Sequence, residues 1–307
     1  MEKSNRAFCF SVYNAQVDFI RRHPLVPVVL LLAFVCLGVW LVVLGQGRHS
    51  NTLTFAMLDI GQGDALFIEG PTGIQVLVDA GPNTGAILRA LPKVMRFGDH
   101  TLDAVIETHP DADHMGGFVD VLERYKVGAY ITPGITSKTN TLIEALNKKV
   151  DAERALIFVA RAGMVVDLGG GARLDILYPD VDVSGWGNRT NDGSIVARVV
   201  YGETEVLLTG DAAFATEDRL LQIASSSLSA DLLKVGHHGS KSSTGEKFIQ
   251  AVRPQMALVS VGAKNTYGHP TQDVLGRLSA AGVPVMRTDQ DGTIVCTSNA
   301  VVFTCKQ

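Results

Sequence analysis

The chain has 307 residues, a formal net charge of -4, 46% hydrophobic residues and 31 glycines. Such a chain can bury a sizeable core and is neither disordered nor fibrous in composition. Residues 1–50 hold Lys3, Arg6, Arg21, Arg22 and Arg48 against Glu2 and Asp18, so the remainder is the acidic part, which argues against a broad basic nucleic-acid surface.

In chain order, the first element is an uncharged apolar run from Pro24 to Leu44. As a helix it would extend ~31 Å, close to the hydrocarbon thickness of a bilayer. Arg21, Arg22 and His23 precede it and Arg48 follows, so the positive-inside rule puts the N-terminus in the cytoplasm and the rest outside. A cleaved secretory signal would have a shorter run and a small-residue cleavage site, whereas Gly45-Gln46-Gly47-Arg48-His49-Ser50 follows here. The expected organisation is a cytoplasmic segment (1–23), a retained transmembrane helix (24–44), a linker (45–51) and one domain (52–307).

Beyond Ser50, short apolar runs alternate with Gly, Asn, Asp and Pro. Strands are expected over 52–59, 64–69, 74–79, 103–108, 128–132, 155–160, 173–178, 193–201, 204–209, 231–235, 256–261, 283–287, 293–297 and 300–304. The first should be half-buried, with Leu53, Phe55 and Met57 alternating with Thr52, Thr54 and Ala56. Helices are expected over 84–95, 116–125, 140–149, 213–224, 244–252 and 271–281, from apolar residues three and four apart. Two sheets face to face with helices outside, an α/β sandwich, would bury all these faces.

Four cysteines are present, and no Cys-x-x-Cys motif occurs among them. Cys296 and Cys305 flank Ser298-Asn299. A tight turn at that dipeptide pairs Cys296 with Val301 and leaves the sulfurs ~13 Å apart along the strand. No disulfide is expected in that register.

The chemistry-bearing segment is His109-Pro110-Asp111-Ala112-Asp113-His114, at the mouth of a strand and followed by Gly116-Gly117. Four imidazole and carboxylate groups in six residues suit divalent metal ions, although a solvated polar loop with an Asx turn has the same composition. Further polar residues close other strands: Asp79 after Val78, Asp211 after Thr209-Gly210, and His237-His238 after Gly236. Asp211 could instead be a helix N-cap, and Asp79 either a turn former or an acceptor orienting a ligand histidine.

In this order, His-x-Asp-x-Asp-His, Thr-Gly-Asp and His-His-Gly-Ser resemble the metallo-β-lactamase superfamily, and more narrowly the soluble domain of the ComEC competence-protein family. Leu58–Ala65, Val78-Asp79-Ala80-Gly81, Asn191-Asp192-Gly193-Ser194 and Tyr267-Gly268-His269-Pro270 add to the match, which covers roughly residues 52–290. The resemblance implies an αββα four-layer sandwich, here preceded by one N-terminal transmembrane helix, with two divalent ions at one edge. By the family pattern His109 and Asp111 hold the first ion, and Asp113, His114 and His237 the second. Asp211 bridges them, while Asp79, His238 and Asp192 stand behind the ligands.

Two departures matter. The usual His-x-His is His109-x-Asp111, and no histidine lies between His114 and His237 to supply a third imidazole to the first ion. Asp192 or Asn191 is the candidate to fill that place. An oxygen-rich site turns preference toward Mn²⁺ or Mg²⁺, with Zn²⁺ the alternative.

The resemblance implies a hydrolase that uses a metal-bridging hydroxide, with Asp113, Asp211 and His269 as catalytic residues. No nucleotide cofactor is expected. A phosphodiester is the favoured substrate, with DNA one candidate for it, met by Ser240, Lys241, Lys264 and His269. An amide, lactam or ester substrate is the second reading, and a non-catalytic binding module the third. No polytopic competence region is present, so any role in DNA uptake would require a separate membrane channel partner.

Overall fold

The computed structural model describes residues 23, 25–46, 51–136 and 141–306. It divides into two compact units, Met1–His49 and Ser50–Gln307. In the first unit, helix α1 (Leu25–Gln46) follows from an unbroken apolar sequence. Among the described residues, no helix is long and apolar enough to cross a membrane.

The second unit is built on two sheets. The strands are β1 (Leu53–Met57), β2 (Leu66–Glu69), β3 (Gln75–Val78), β4 (Thr101–Ile106), β5 (Lys126–Thr132), β6 (Leu156–Val159), β7 (Val165–Gly169) and β8 (Ala172–Tyr178). They continue as β9 (Val196–Tyr201), β10 (Thr204–Leu208), β11 (Leu232–Lys234), β12 (Met256–Val259), β13 (Val285–Arg287), β14 (Ile294–Ser298) and β15 (Phe303–Lys306). The first sheet runs β15-β14-β1-β2-β3-β4-β5-β6 and the second β13-β12-β11-β10-β9-β8-β7.

Between the sheets lies a core of Phe55, Met57, Ile68, Val78 and Ile106 from one side and Leu174, Val199, Val206, Leu208 and Leu258 from the other. The opposite face of the first sheet buries Ala56, Phe67, Leu77 and Val105 under helices α2 (Ile87–Ala90), α4 (Phe118–Arg124) and α5 (Thr141–Glu153). The outer face of the second is covered by α6 (Phe214–Ile223), α7 (Glu246–Val252) and α8 (Gln272–Ala280). The layering is therefore αββα. Ala56 is fully buried, so β1 is covered on both faces rather than half-buried.

Strands β3 to β6 run parallel, as do β10 to β13. Asp79, Thr108, Asp211 and His237 all follow carboxyl ends of these strands, where open α/β sheets gather their ligand sites.

The disulfide expectation fails. The β14–β15 loop runs over residues 299–302, with the Asn299 side-chain oxygen accepting the N–H groups of Val301 and Val302. This longer turn aligns Cys296 with Cys305 instead of Val301. Their Cα atoms are 3.9 Å apart and the sulfurs are bonded.

Candidate metal centre

The site forms where the loops after β3, β4, β10 and β11 meet the loop after β1. Beyond β4, Thr108 and His109 are buried, and one helical turn, α3 (Ala112–Met115), follows Asp111. That turn puts Asp113 and His114 side by side, with His114 fully buried and Asp113 partly exposed. Asp64 comes from the loop after β1. Gly63, at φ +121°, makes that loop possible, because a Cβ there would meet the Asp113 carbonyl oxygen at 2.0 Å.

The turn after β11 is unusual. His237 and His238 both adopt left-handed backbone conformations, at φ 48° and 52°. Consecutive non-glycine residues in this region cost about 1–3 kcal/mol each and persist only when the surroundings hold them. Here Ser243 donates to the Gly236 carbonyl at 2.7 Å, and Gly236 N donates to Thr244 at 3.2 Å. Arg277 in turn donates to the carbonyls of Ser243 and Thr244.

Three imidazoles have their Nδ1 atoms occupied away from the centre. His114 Nδ1 lies 2.8 Å from Asp79 Oδ2, His238 Nδ1 lies 2.9 Å from the Ser260 carbonyl, and His109 Nδ1 lies 3.0 Å from Thr108 Oγ1. The Thr108 hydroxyl donates onward to Asp79 at 2.6 Å. Each Nδ1 can therefore carry the ring proton, which leaves Nε2 as a lone-pair donor pointing inward.

The inward atoms converge. His114 Nε2 and His238 Nε2 are 3.3 Å apart. Asp211 Oδ1 lies 3.3 Å from His114 Nε2, while Asp211 Oδ2 lies 3.6 Å from His237, 3.7 Å from His238 and 4.0 Å from His109. Asp113 is 3.5 Å from His238 Nε2, and Asp111 is 3.7 Å from His109 Nε2.

Among the described residues, four groups bring one donor atom each within 4.8 Å. They are His109, His114 and Asp211; Asp113, His114 and His238; Asp64, Asp211 and His238; and Asp64, Asp79 and His114. His109 Nε2 and Asp211 Oδ1 are buried without a hydrogen-bond partner. Buried polar atoms are rarely left unsatisfied, so imidazole nitrogens and carboxylate oxygens converging in this way fit a divalent cation.

The electrostatics agree. Burial would raise the Asp211 carboxyl and lower the His114 and His238 imidazoles, but their mutual attraction outweighs it. Asp211 is held well below the carboxylate range, His114 well above its usual value, and His238 is pushed up to about 9. Asp113 is brought down to about 2, because burial is outweighed by the His238 hydrogen bond and the charges of His114 and His238 acting together. His109 goes the other way, to about 3, through burial and the neighbouring His114. The carboxylates thus favour positive charge among them, while His109 stays neutral and able to donate its lone pair.

Several residues sit otherwise than expected. His238, expected behind the ligands, directs Nε2 into the cluster, whereas His237 is partly exposed and enters none of the four groups. Asp192 faces Arg189 at 3.9 Å, and its neighbour Asn191 approaches the His237 ring, Nδ2 to Nδ1 3.4 Å. Ser240 is taken up by the turn, bonding Ser242 at 3.1 Å, while Lys241 and Lys264 are exposed. His269 lies with its ring centroid 5.7 Å from that of His237.

Asp64 and Lys234 escaped the sequence reading. Lys234 is fully buried, paired with Asp64 and donating to the Gly210 carbonyl at 2.7 Å. The available signals were an Asp after Gly61-Gln62-Gly63 and a lysine inside an otherwise apolar strand.

Fold and donor cluster together define a metal-binding α/β sandwich, and residues 58–262 match the metallo-beta-lactamase superfamily model. The chain belongs to that superfamily. Within it, the chain is similar to ComE operon protein 3 of Bacillus subtilis, at 34% identity over 78% of this chain and 32% of that protein. It is also similar to competence protein ComA of Neisseria gonorrhoeae, at 29% identity over 80% of this chain and 32% of that one. A third relative is recombination protein 2 of Haemophilus influenzae, at 34% identity over 77% and 28%. These relatives are competence-related proteins of the ComEC type, and the chain spans about a third of their length.

Proposed function

We propose that the chain is a membrane-anchored, binuclear metal-dependent phosphodiesterase that acts on DNA. The observation that carries the reading is the convergence of His109, His114 and His238 Nε2 atoms on Asp211, with buried donors left unpartnered. In this reading Asp113, His114 and His238 would hold one ion, His109 and Asp111 the other with His237 drawn in from the rim, and Asp211 would serve both. His237 would then supply the third imidazole lacking at the first ion, and His238 would take the role expected of His237.

Divalent ions at such a cluster supply Lewis acidity, activating water and neutralising phosphoryl oxygens. The chain's own part is positioning. Asp79 fixes His114 directly and His109 through Thr108, while the Ser260 carbonyl fixes His238. His269 lines the outer side of His237; burial and that neighbour lower its basicity, which makes its protonated ring a readier donor to a departing oxygen. Lys241 and Lys264 remain available to phosphates from the surface. The names of the relatives, competence and recombination proteins, favour DNA as the phosphodiester.

Anchoring is supported by the apolar sequence of α1 and the basic residues before it. The Cys296–Cys305 bond suits a domain outside the cytoplasm, where disulfides persist. A membrane channel partner would serve a role in uptake.

The test is metal content of the purified chain, coupled to turnover of bis-p-nitrophenyl phosphate and then linear DNA with Mn²⁺, Mg²⁺ or Zn²⁺. About two ions per chain and metal-dependent turnover of both substrates are expected. Metal uptake with hydrolysis of an amide or carboxylic ester but no phosphodiester would favour the other hydrolase reading. No uptake of any of the three ions would leave a binding module.

A further inference from the structure

Two aromatic side chains lie on loops that border the donor cluster, and neither has a role in holding it. Tyr267 is 68% exposed and lies stacked on His269, with ring centroids 5.7 Å apart and planes at 23°. His269 in turn meets the His237 ring at 5.7 Å. The second, Trp186, is half-buried in a loop that touches the same cluster. In that loop the Thr190 hydroxyl donates to Asn191 Oδ1 at 3.3 Å, and the Asn191 amide approaches His237. The Arg189 guanidinium lies 4.3 Å over the Trp186 ring, and its side chain is 58% exposed. Trp186 and Arg189 also line a 270 Å³ cleft.

We infer that Trp186 and Tyr267 are base-stacking platforms that seat the unpaired bases of a single-stranded polynucleotide beside the donor cluster. The inference rests on the phosphodiesterase reading and names the form of its substrate. The exposed Tyr267 ring, linked through His269 to His237, is placed to hold the base next to a phosphate bound at the donor cluster, and the Trp186 ring edge lies on the loop that carries Asn191 to the same histidine. Stacking needs a free base face, which duplex DNA keeps inside its own stack, so the platforms select single strands without selecting sequence. Arg189 adds a cation within reach of the phosphate that follows the stacked base. This arrangement also accounts for recognition of a polyanion by an acidic domain: affinity comes from rings and a few local cations instead of a basic face.

The control that isolates stacking is an abasic oligonucleotide, which keeps every phosphate and lacks every base. Trp40 is the other tryptophan of the chain, so the full-length Trp40→Phe protein in detergent reports on Trp186 alone. A single-stranded oligothymidylate is expected to quench its emission, and to bind roughly 5- to 100-fold more tightly than the abasic strand of equal length. The duplex should quench little. Trp186→Ala or Tyr267→Ala should each remove most of the preference for base-bearing DNA, and Tyr267→Phe should retain it.

Equal affinity for the abasic and base-bearing strands would overturn the proposal. So would a preference that survives both alanine substitutions. Metal-dependent cleavage of the same oligothymidylate is scored separately: its absence would sink the phosphodiesterase reading, while the affinity ratio still decides whether the platforms exist.

Discussion

Lys234 is the residue whose environment departs furthest from its type. A lysine with no solvent exposure is stable only when paired, and here burial works against its charge while Asp64 and Asp211 together outweigh it and raise its pKa. It holds Asp64 and the Gly210 carbonyl at once, so it ties the loop after β1 to the loop after β10. Removing one partner of a buried pair strands the other charge. Lys234→Met should therefore cost about 3–5 kcal/mol in chemical denaturation of the metal-free protein. A loss below about 1 kcal/mol would mean that Asp64 is neutral or solvated when the lysine is absent. Asp79 shows the same economy of parts, accepting from His114, Thr108 Oγ1 and the Thr108 N–H with its two oxygens.

At the scale of elements, the turn after β11 decides which histidine faces inward. Left-handed backbone at both His237 and His238 turns His238 toward Ser260, Asp113 and Asp211, and leaves His237 at the rim beside Asn191 and His269. The two alanine variants should therefore differ. His238→Ala should lower metal affinity by at least ten-fold, read by titration with Mn²⁺ or Zn²⁺. His237→Ala should lose affinity at one ion while the other stays near wild type. Identical losses in both variants would reject the division of the two histidines between the ions. Strand β7 illustrates a different element-scale effect. Val165–Gly169 is short and runs into Gly170-Gly171, so nothing local distinguishes it from a loop; pairing with β8 makes it a strand.

For the molecule as a whole, the two sheets enclose one core, and β14 and β15 extend the first sheet beyond β1. The Cys296–Cys305 bond closes that edge with a sequence separation of nine residues. A loop of that size stabilises by about 2–3 kcal/mol in the chain-entropy account. Cys296→Ser, or reductant added to the native protein, should lower the denaturation free energy by that amount and leave metal stoichiometry unchanged, because the bond joins strands outside the donor cluster. A simultaneous loss of bound metal would show that the sheet edge and the site are coupled.

The order of strands and helices was legible because apolar spacing and turn residues are local properties, and the layering followed from the number of faces they had to bury. The gathering of His109, Asp113, His114 and Asp211 was legible too, since these polar residues follow the apolar ends of two strands. What the sequence could not determine were relations across the fold. The cysteine pairing depended on the true length of one turn. The orientation of His237 and His238 depended on two left-handed residues held by Ser243, Thr244 and Arg277. Asp64, Lys234 and Ser260 join the site only because β1, β11 and β12 end near one another. Local composition sets which groups are present; backbone geometry and long-range packing set which of their atoms meet.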